Sequence, residues 1–439
     1  MQGNNNAGTS GVESLIGDQS KNVAIFVNDF YEEDAEALEL LSKRLGRKIH
    51  GVLLVDKAAK ERQHTKQDKF QEIVCDFRDD VALHQAVQSY EKDLLLAYCS
   101  SERSQPDYQR LLPHVPYVLG PTESSLEWTT HKDKMREMLT SYNPDFVPKV
   151  KVMNTGAEEE IKAVLRDISF PMIVKPAGLA GSLLVTKVEN EEELRRSLKK
   201  SFEVIKEVYT RDRGRGEPRM LVEEFVAGVL YTVDAYVNET GKVWLLPLIR
   251  PTTARQVGQE GFWIFQEETN HSLTADDIAE ANKAAEQSVH AVGLRSSVAH
   301  IELFQTKNGW KIVELGPRRG GQRQEMYMLT YGIHHAYNEL LIRIGLEPEV
   351  KTVYKQHSTA IALYADEEGQ ITAIEGVEEA RNNPAVYNLF VHASIGDMAK
   401  HSNNGGKRVA EGVLYHENLT RLNEEITRVR KGVRIITSQ

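Results

Sequence analysis

The sequence predicts a mixed α/β and α+β protein. It has an N-terminal parallel α/β domain, a central domain built around an acidic hairpin, and a mixed C-terminal lobe. Three observations predict this. Short apolar runs alternate with helix-patterned segments over residues 21–120, the pattern of a parallel sheet with crossover helices. Two strand-like runs flank Asn308-Gly309, each carrying one glutamate. Residues 346–439 return to short strand-like runs such as "TAIALYA", "VYNLFVHAS" and "GVLYHE".

The composition bounds the function. A chain of 439 residues has room for about two to four domains. Its apolar fraction of 41% and charged fraction of 27% are those of a soluble globular protein. A net charge of −10 argues against a nucleic-acid partner. Cys75 and Cys99 are the only cysteines, so no zinc set with the usual spacing exists. No apolar run approaches the ~18 residues of a membrane span. The opening "MQGNNNAGTSGVESLIGDQS" has neither the basic nor the apolar segment of a secretory signal. It reads as a disordered tail over residues 1–20, and a cytoplasmic location is expected.

In the N-terminal unit, "NVAIFV", "HGVLLV", "EIVCDF" and "DLLLAYC" read as buried strands, with helical spacing in "EEDAEALELLSKRL" and "DDVALHQAVQSYEKD" between them. "VNDFYEED" follows the first strand in place of a glycine fingerprint, which speaks against dinucleotide binding at that turn. Gly120-Pro121 marks a boundary, and "THKDKMREMLTSYN" opens a helix. "FPMIVKPAGLAGSLLVTKV" is a strand, a glycine-containing turn and a second strand; a long helix and the strands "MLVEEFVAG" and "LYTVDAYV" follow. Residues 252–272 look irregular and polar, long enough for a cap over a site. A capped helix over "TADDIAEANKAAEQSVHAVGL" precedes the hairpin. "MLTYGIHHAYNELLIRIGL" reads as one closing helix.

The hairpin poses the chemical question. A three-residue loop of Lys307, Asn308 and left-handed Gly309 sets Glu302 directly opposite Glu314, with Cβ atoms roughly 5 Å apart. Ile301, Leu303, Val313 and Leu315 then form the apolar face. A two-residue Asn-Gly loop sends the glutamates to opposite faces instead. Carboxylates opposed in this way repel and need a proton, a cation or a metal; oxygen-only ligands suit Mg²⁺. A half-exposed hairpin with solvated glutamates is the simpler alternative. Lys175 stands before a turn containing Gly178, Gly181 and Ser182, where backbone N–H groups can cradle phosphate. An ordinary turn beside a surface lysine fits the same residues. Glu223 and Glu224 end a strand whose backbone can meet a base edge, or they face water; Lys134, alone, is a helix-surface lysine.

Taken in order, these segments resemble the ATP-grasp superfamily over roughly residues 126–345. The resemblance implies a two-lobed ATP-grasp domain with a small lid lobe over about residues 150–220. A pre-ATP-grasp domain would occupy residues 21–125 and a C-terminal lobe residues 346–439. Lys134 and Lys175 match the nucleotide-binding lysines, and Gly178 to Ser182 the mobile loop over the phosphates. Glu223, Glu224 and Val226 match the adenine-contacting segment, and Glu302 and Glu314 the metal pair. Arg318 matches the arginine that meets the transferred phosphate. The implied cofactors are ATP and Mg²⁺, with Mn²⁺ as a substitute.

The family logic implies γ-phosphate transfer to a carboxylate, then attack by an amine, catalysed by positioning and charge neutralisation. Gly320 and Gly321 allow close approach of substrate. His271 would bind or deprotonate the amine, or is a surface histidine. The expected function is an ATP-dependent carboxylate–amine ligase resembling the L-amino-acid ligases. Its partners would be small-molecule amino acids, and a homodimer is admitted. The alternatives are a biotin-carboxylase-like enzyme and a nucleotide-binding protein without turnover. Gln322 stands where the carboxylase base would be, and no Ala-Met-Lys-Met sequence occurs. Two departures from the family pattern motivate the non-turnover alternative. Gly316 replaces the metal-binding asparagine, and Leu230 a ribose-binding glutamate.

Overall fold

The computed structural model describes residues 20–60, 70–179, 182–212, 216–258, 262–401 and 406–438. The expected N-terminal tail and Gly181 therefore lie outside the described residues. The first unit is a parallel sheet in the order Gln71–Cys75, His50–Asp56, Val23–Val27, Leu94–Tyr98. Every residue of the strands Val23–Val27 and Leu94–Tyr98 is buried, as expected of a parallel sheet covered on both faces.

Two antiparallel sheets follow. The smaller runs in the order Val150–Met153, Met220–Glu224, Met172–Pro176, Thr186–Val188 and packs under the helix Glu191–Asp212. The larger runs in the order Val243–Leu245, Val229–Val237, Ser297–Thr306, Gly309–Gly316. One face of it packs on the helix Ala275–Ala291 through Tyr231, Val233, Ala285, Val289, Leu303 and Ile312. Each fully buried valine, leucine or isoleucine among them contributes about 1.5–3 kcal/mol relative to exposure.

Two expectations need correction here. Much of the segment read as an irregular cap is ordered instead, in the antiparallel strands Arg250–Thr253 and Ile264–Glu268 and the 3-10 turn Ala254–Val257. The two strands extend a five-stranded sheet with His357–Leu363, Ala410–His416 and Val386–Val391. The alternation of the strand Ile264–Glu268 is masked by polar side chains such as Gln266 and Glu267. The closing helix is two helices, Arg323–Tyr331 and His335–Arg343, broken where Gly332 takes φ 72° and caps the first. The second helix is buried at every position. It packs Ala336, Leu340 and Leu341 against Ala37, Leu41 and Tyr98 of the first unit, and so docks that unit on the central sheet.

Candidate active site

Glu302 and Glu314 stand directly opposite one another. The route to that register differs from the expected three-residue loop. Thr306 pairs with Gly309 across a two-residue loop, with Gly309 at φ 98°. A bulge between the Leu303–Ile312 and Glu302–Glu314 pairs then inserts Val313. The inserted residue shifts the register by one, so the glutamates share a face after all. Ile312, not Val313, joins Ile301, Leu303 and Leu315 in the core.

That face carries a polar stripe across three strands. Thr232 pairs with Glu302, and Asp234 with His300. Asp234 is fully buried; it accepts from His300 Nδ1 at 2.6 Å, His335 Nε2 at 2.8 Å and the Gly320 N–H at 2.8 Å. Burial opposes its charge, but the two imidazoles hold its carboxyl well below the usual range.

Burial, and then Glu314, push the Glu302 carboxyl up. Burial opposes the Glu314 charge as well, but Lys132, with its Nζ 3.2 Å away, together with Lys175 and Arg318 lowers that carboxyl. Two carboxylates sharing one face, only one of them ion-paired to a lysine, fit a divalent ion. Among the described residues no group of three or more His, Cys, Asp or Glu is arranged around a metal. An ion held by Glu302 and Glu314 would therefore complete its shell with water and phosphate oxygens, as Mg²⁺ does.

The lysines divide differently from expectation. Lys132 reaches Glu314 and donates to the Leu179 carbonyl at 2.8 Å. Lys134, two residues on, points away to a half-exposed pair with Glu127. Residues two apart on a helix do not share a face, and "HKDKMREML" offers both. Lys175 is half-buried, with Nζ 2.8 Å from Glu223; burial lowers its pKa against the pull of Glu223. Glu223 is not free to face a base. It takes Arg136 Nε at 2.9 Å as well, and these two cations outweigh its burial and bring its pKa to about 2. Glu224 is half-buried and accepts from the Lys149 N–H at 3.3 Å; Val226 is half-buried just beyond the strand.

The turn after Lys175 is held from within. The Gly178 N–H donates to the Tyr209 hydroxyl at 2.8 Å. Ser182, at φ 57°, donates its hydroxyl to the Phe262 carbonyl at 3.2 Å. Gly320 is needed for a reason other than substrate approach: a Cβ there would lie 2.6 Å from His300 Nδ1. Gly321 has open space and lines the cleft. His271 does not. It packs edge-on against Tyr231, which pairs with Leu303 on the apolar face, away from Glu302. Burial, then Arg250, lower its pKa.

Arg318 opens onto a cleft of about 870 Å³ between all the units. Glu33 and Glu102 line it from the first unit, Leu183 from the small sheet, and Trp263 and Arg408 from the C-terminal side. Arg318 Nε donates to Glu102, and Nη1 to the Arg319 carbonyl at 2.9 Å. Arg319 is buried, 3.0 Å from Asp34 and 3.3 Å from Glu339. A Cβ at Gly316 would meet the Glu102 carboxylate at 3.4 Å, an ordinary contact. Leu230 is buried hydrocarbon. Sequence reasoning missed Glu102, Lys132, Arg136 and the Asp234 network. Only Asp234, a charge inside the apolar run "LYTVDAYV", left a signal.

Residues 168–327 match the family described as ATP-grasp domain, and residues 361–438 match L-amino acid ligase C-terminal domain 2. An uncharacterized protein of Sinorhizobium fredii is 23% identical over 279 residues, which are 63% of this chain and 55% of that protein. The chain thus spans about half the length of that curated relative. The fold is similar to the crystal structure of an L-amino acid ligase from Bacillus licheniformis (TM-score 0.72, 18% identity, 95% of this chain and 99% of that one). It is also similar to biotin carboxylase from Campylobacter jejuni (TM-score 0.63, 16% identity, 94% and 92%). The chain thus matches an ATP-grasp domain over residues 168–327 and an L-amino acid ligase C-terminal domain over residues 361–438, in a fold similar to that of an L-amino acid ligase.

Proposed function

We propose that the protein activates a carboxylate as its acyl phosphate, with ATP as phosphoryl donor, and joins it to an amine, both substrates being amino acids. The observation that carries this reading is the meeting of two chemistries at one strand end. Glu314, paired with Glu302, precedes Arg318 by four residues, and Arg318 faces a cleft large enough for two small substrates. We assign residues 21–125, 126–345 and 346–439 to the three domains that build it.

Lys132 and Lys175 neutralise phosphate charge once released from Glu314 and Glu223. Glu302 and Glu314 would hold Mg²⁺, which when bound would supply neutralisation of phosphate charge. Arg318 offers a guanidinium fork to the oxygens that gain charge during transfer, and Glu102 keeps that fork charged and aimed. Leu179, Leu183 and Trp263 exclude water from part of the cleft, which guards an acyl phosphate against hydrolysis. The test is phosphate release from ATP across paired free amino acids, with mass detection of the amide. Bicarbonate-dependent cleavage without amino acids would overturn the reading.

A further inference from the structure

The strand Gly309–Gly316 is an edge of its sheet, so its outward carbonyls need partners from elsewhere. They find them in one helix, Lys132–Tyr142. Arg136, 1% exposed, donates Nη2 to the Val313 carbonyl at 2.7 Å and Nη1 to the Ile312 carbonyl at 3.3 Å. Its neighbour Met135 accepts the Leu315 N–H at 3.2 Å through sulfur. These three residues bracket the bulge. The rest of the Arg136 fork is spent on Glu223, with Nε at 2.9 Å and Nη2 at 3.2 Å.

The bulge is what makes the metal pair. Without Val313 as an extra residue, continuing the ladder from the Thr306–Gly309 pair would set Glu302 opposite Val313. Glu314 would then turn to the apolar face, because a one-residue slip reverses every side chain beyond it. The bulge persists against a regular ladder, and against the repulsion of the two glutamates, only while something binds its freed carbonyls. We propose that Arg136 is a positioning residue that fixes this register. It holds Glu314 opposite Glu302 and ties that arrangement to Glu223, and so to Lys175 on the small sheet.

The inference rests on the metal reading of Glu302 and Glu314, and its test reads the register separately. Glu302→Cys/Glu314→Cys places two thiols directly across the ladder, at a separation suited to a disulfide. Oxidation should link them, as seen by peptide mass spectrometry. In an Arg136→Met background the link should be lost. Deleting Val313 removes the need for a bulge, so Arg136→Met with that deletion should link again. Mn²⁺ binding, followed by electron paramagnetic resonance in chains that keep both glutamates, should follow the same order: present, lost, restored.

Should Arg136→Met not fold, Arg136→Lys carries the same comparison. A single ammonium cannot serve Glu223 and both carbonyls at once. A cysteine pair that links equally well without Arg136 would overturn the inference, as would a deletion that fails to restore it. A register that follows Arg136 while the intact protein binds no Mn²⁺ would sink the metal reading and leave the positioning role standing.

Discussion

Arg318 is held before any substrate arrives. Its Nε is bonded to Glu102 and its charge is reinforced by Glu102 and Glu314, against the cost of burial. A group that acts chiefly in the transition state changes turnover more than affinity. Arg318→Lys should therefore keep ATP affinity within a few-fold by calorimetry, while phosphate release falls by about 10²–10³-fold. Parallel loss of both would make Arg318 a ground-state contact. Glu33 allows a second prediction. Burial pushes its carboxyl up to about 7, against the pull of Arg319, so the cleft wall gains a negative charge as pH rises through neutrality. The KM for a cationic substrate should fall across that interval, and Glu33→Gln should flatten the profile. At this scale the sequence displayed the chemistry only where it is local. Glu302, Glu314 and Arg318 lie within one short segment. Glu102 meets Arg318 across 216 positions of chain, and no spacing rule reaches that far.

The acidic hairpin and the small sheet are coupled through Glu223, and their stabilities should show it. The Glu223 carboxyl is lowered from the usual 4.5 to about 2, because Arg136 and Lys175 outweigh its burial. A depressed carboxylate contributes stability above its unfolded pKa and loses it as pH falls through the folded one. Acid unfolding followed by circular dichroism should therefore steepen between about 4.5 and about 2, and Glu223→Gln should remove that component. Glu302→Gln, at the carboxyl that burial and then Glu314 push up, should act oppositely. It relieves the repulsion across the ladder, so the metal-free protein should melt higher while phosphate release is abolished. Full activity in that variant would show that the glutamates are merely solvated. Elements were legible where apolar periodicity is strong, as in the parallel strands. The hairpin shows the limit: loop length alone predicts the wrong face when a bulge intervenes. The strands Arg250–Thr253 and Ile264–Glu268 were hidden for a related reason, since their stability comes from pairing with a strand about ninety residues later rather than from their own pattern.

The whole molecule is organised so that three units converge on one cleft. The helix His335–Arg343 inserts into the first unit, and a buried set of charges joins the two. Arg319 meets Asp34 and Glu339, and Arg343 meets Glu339 and the Tyr108 hydroxyl. Removing one partner of a buried pair typically costs 3–5 kcal/mol. Arg319→Met should accordingly lower the melting temperature and weaken activity by loosening the unit that carries Glu102. Among the described residues no helix is long and apolar enough to cross a membrane. The most direct measurement of the central claim is a stoichiometric one. Purified protein is given ATP, Mg²⁺ and pairs of free amino acids, and ADP, phosphate and product are quantified together. The account predicts ADP and phosphate in equal amounts with one new amide bond each, only when a carboxylate and an amine are both supplied. ATP cleavage that follows bicarbonate and ignores amino acids would contradict it.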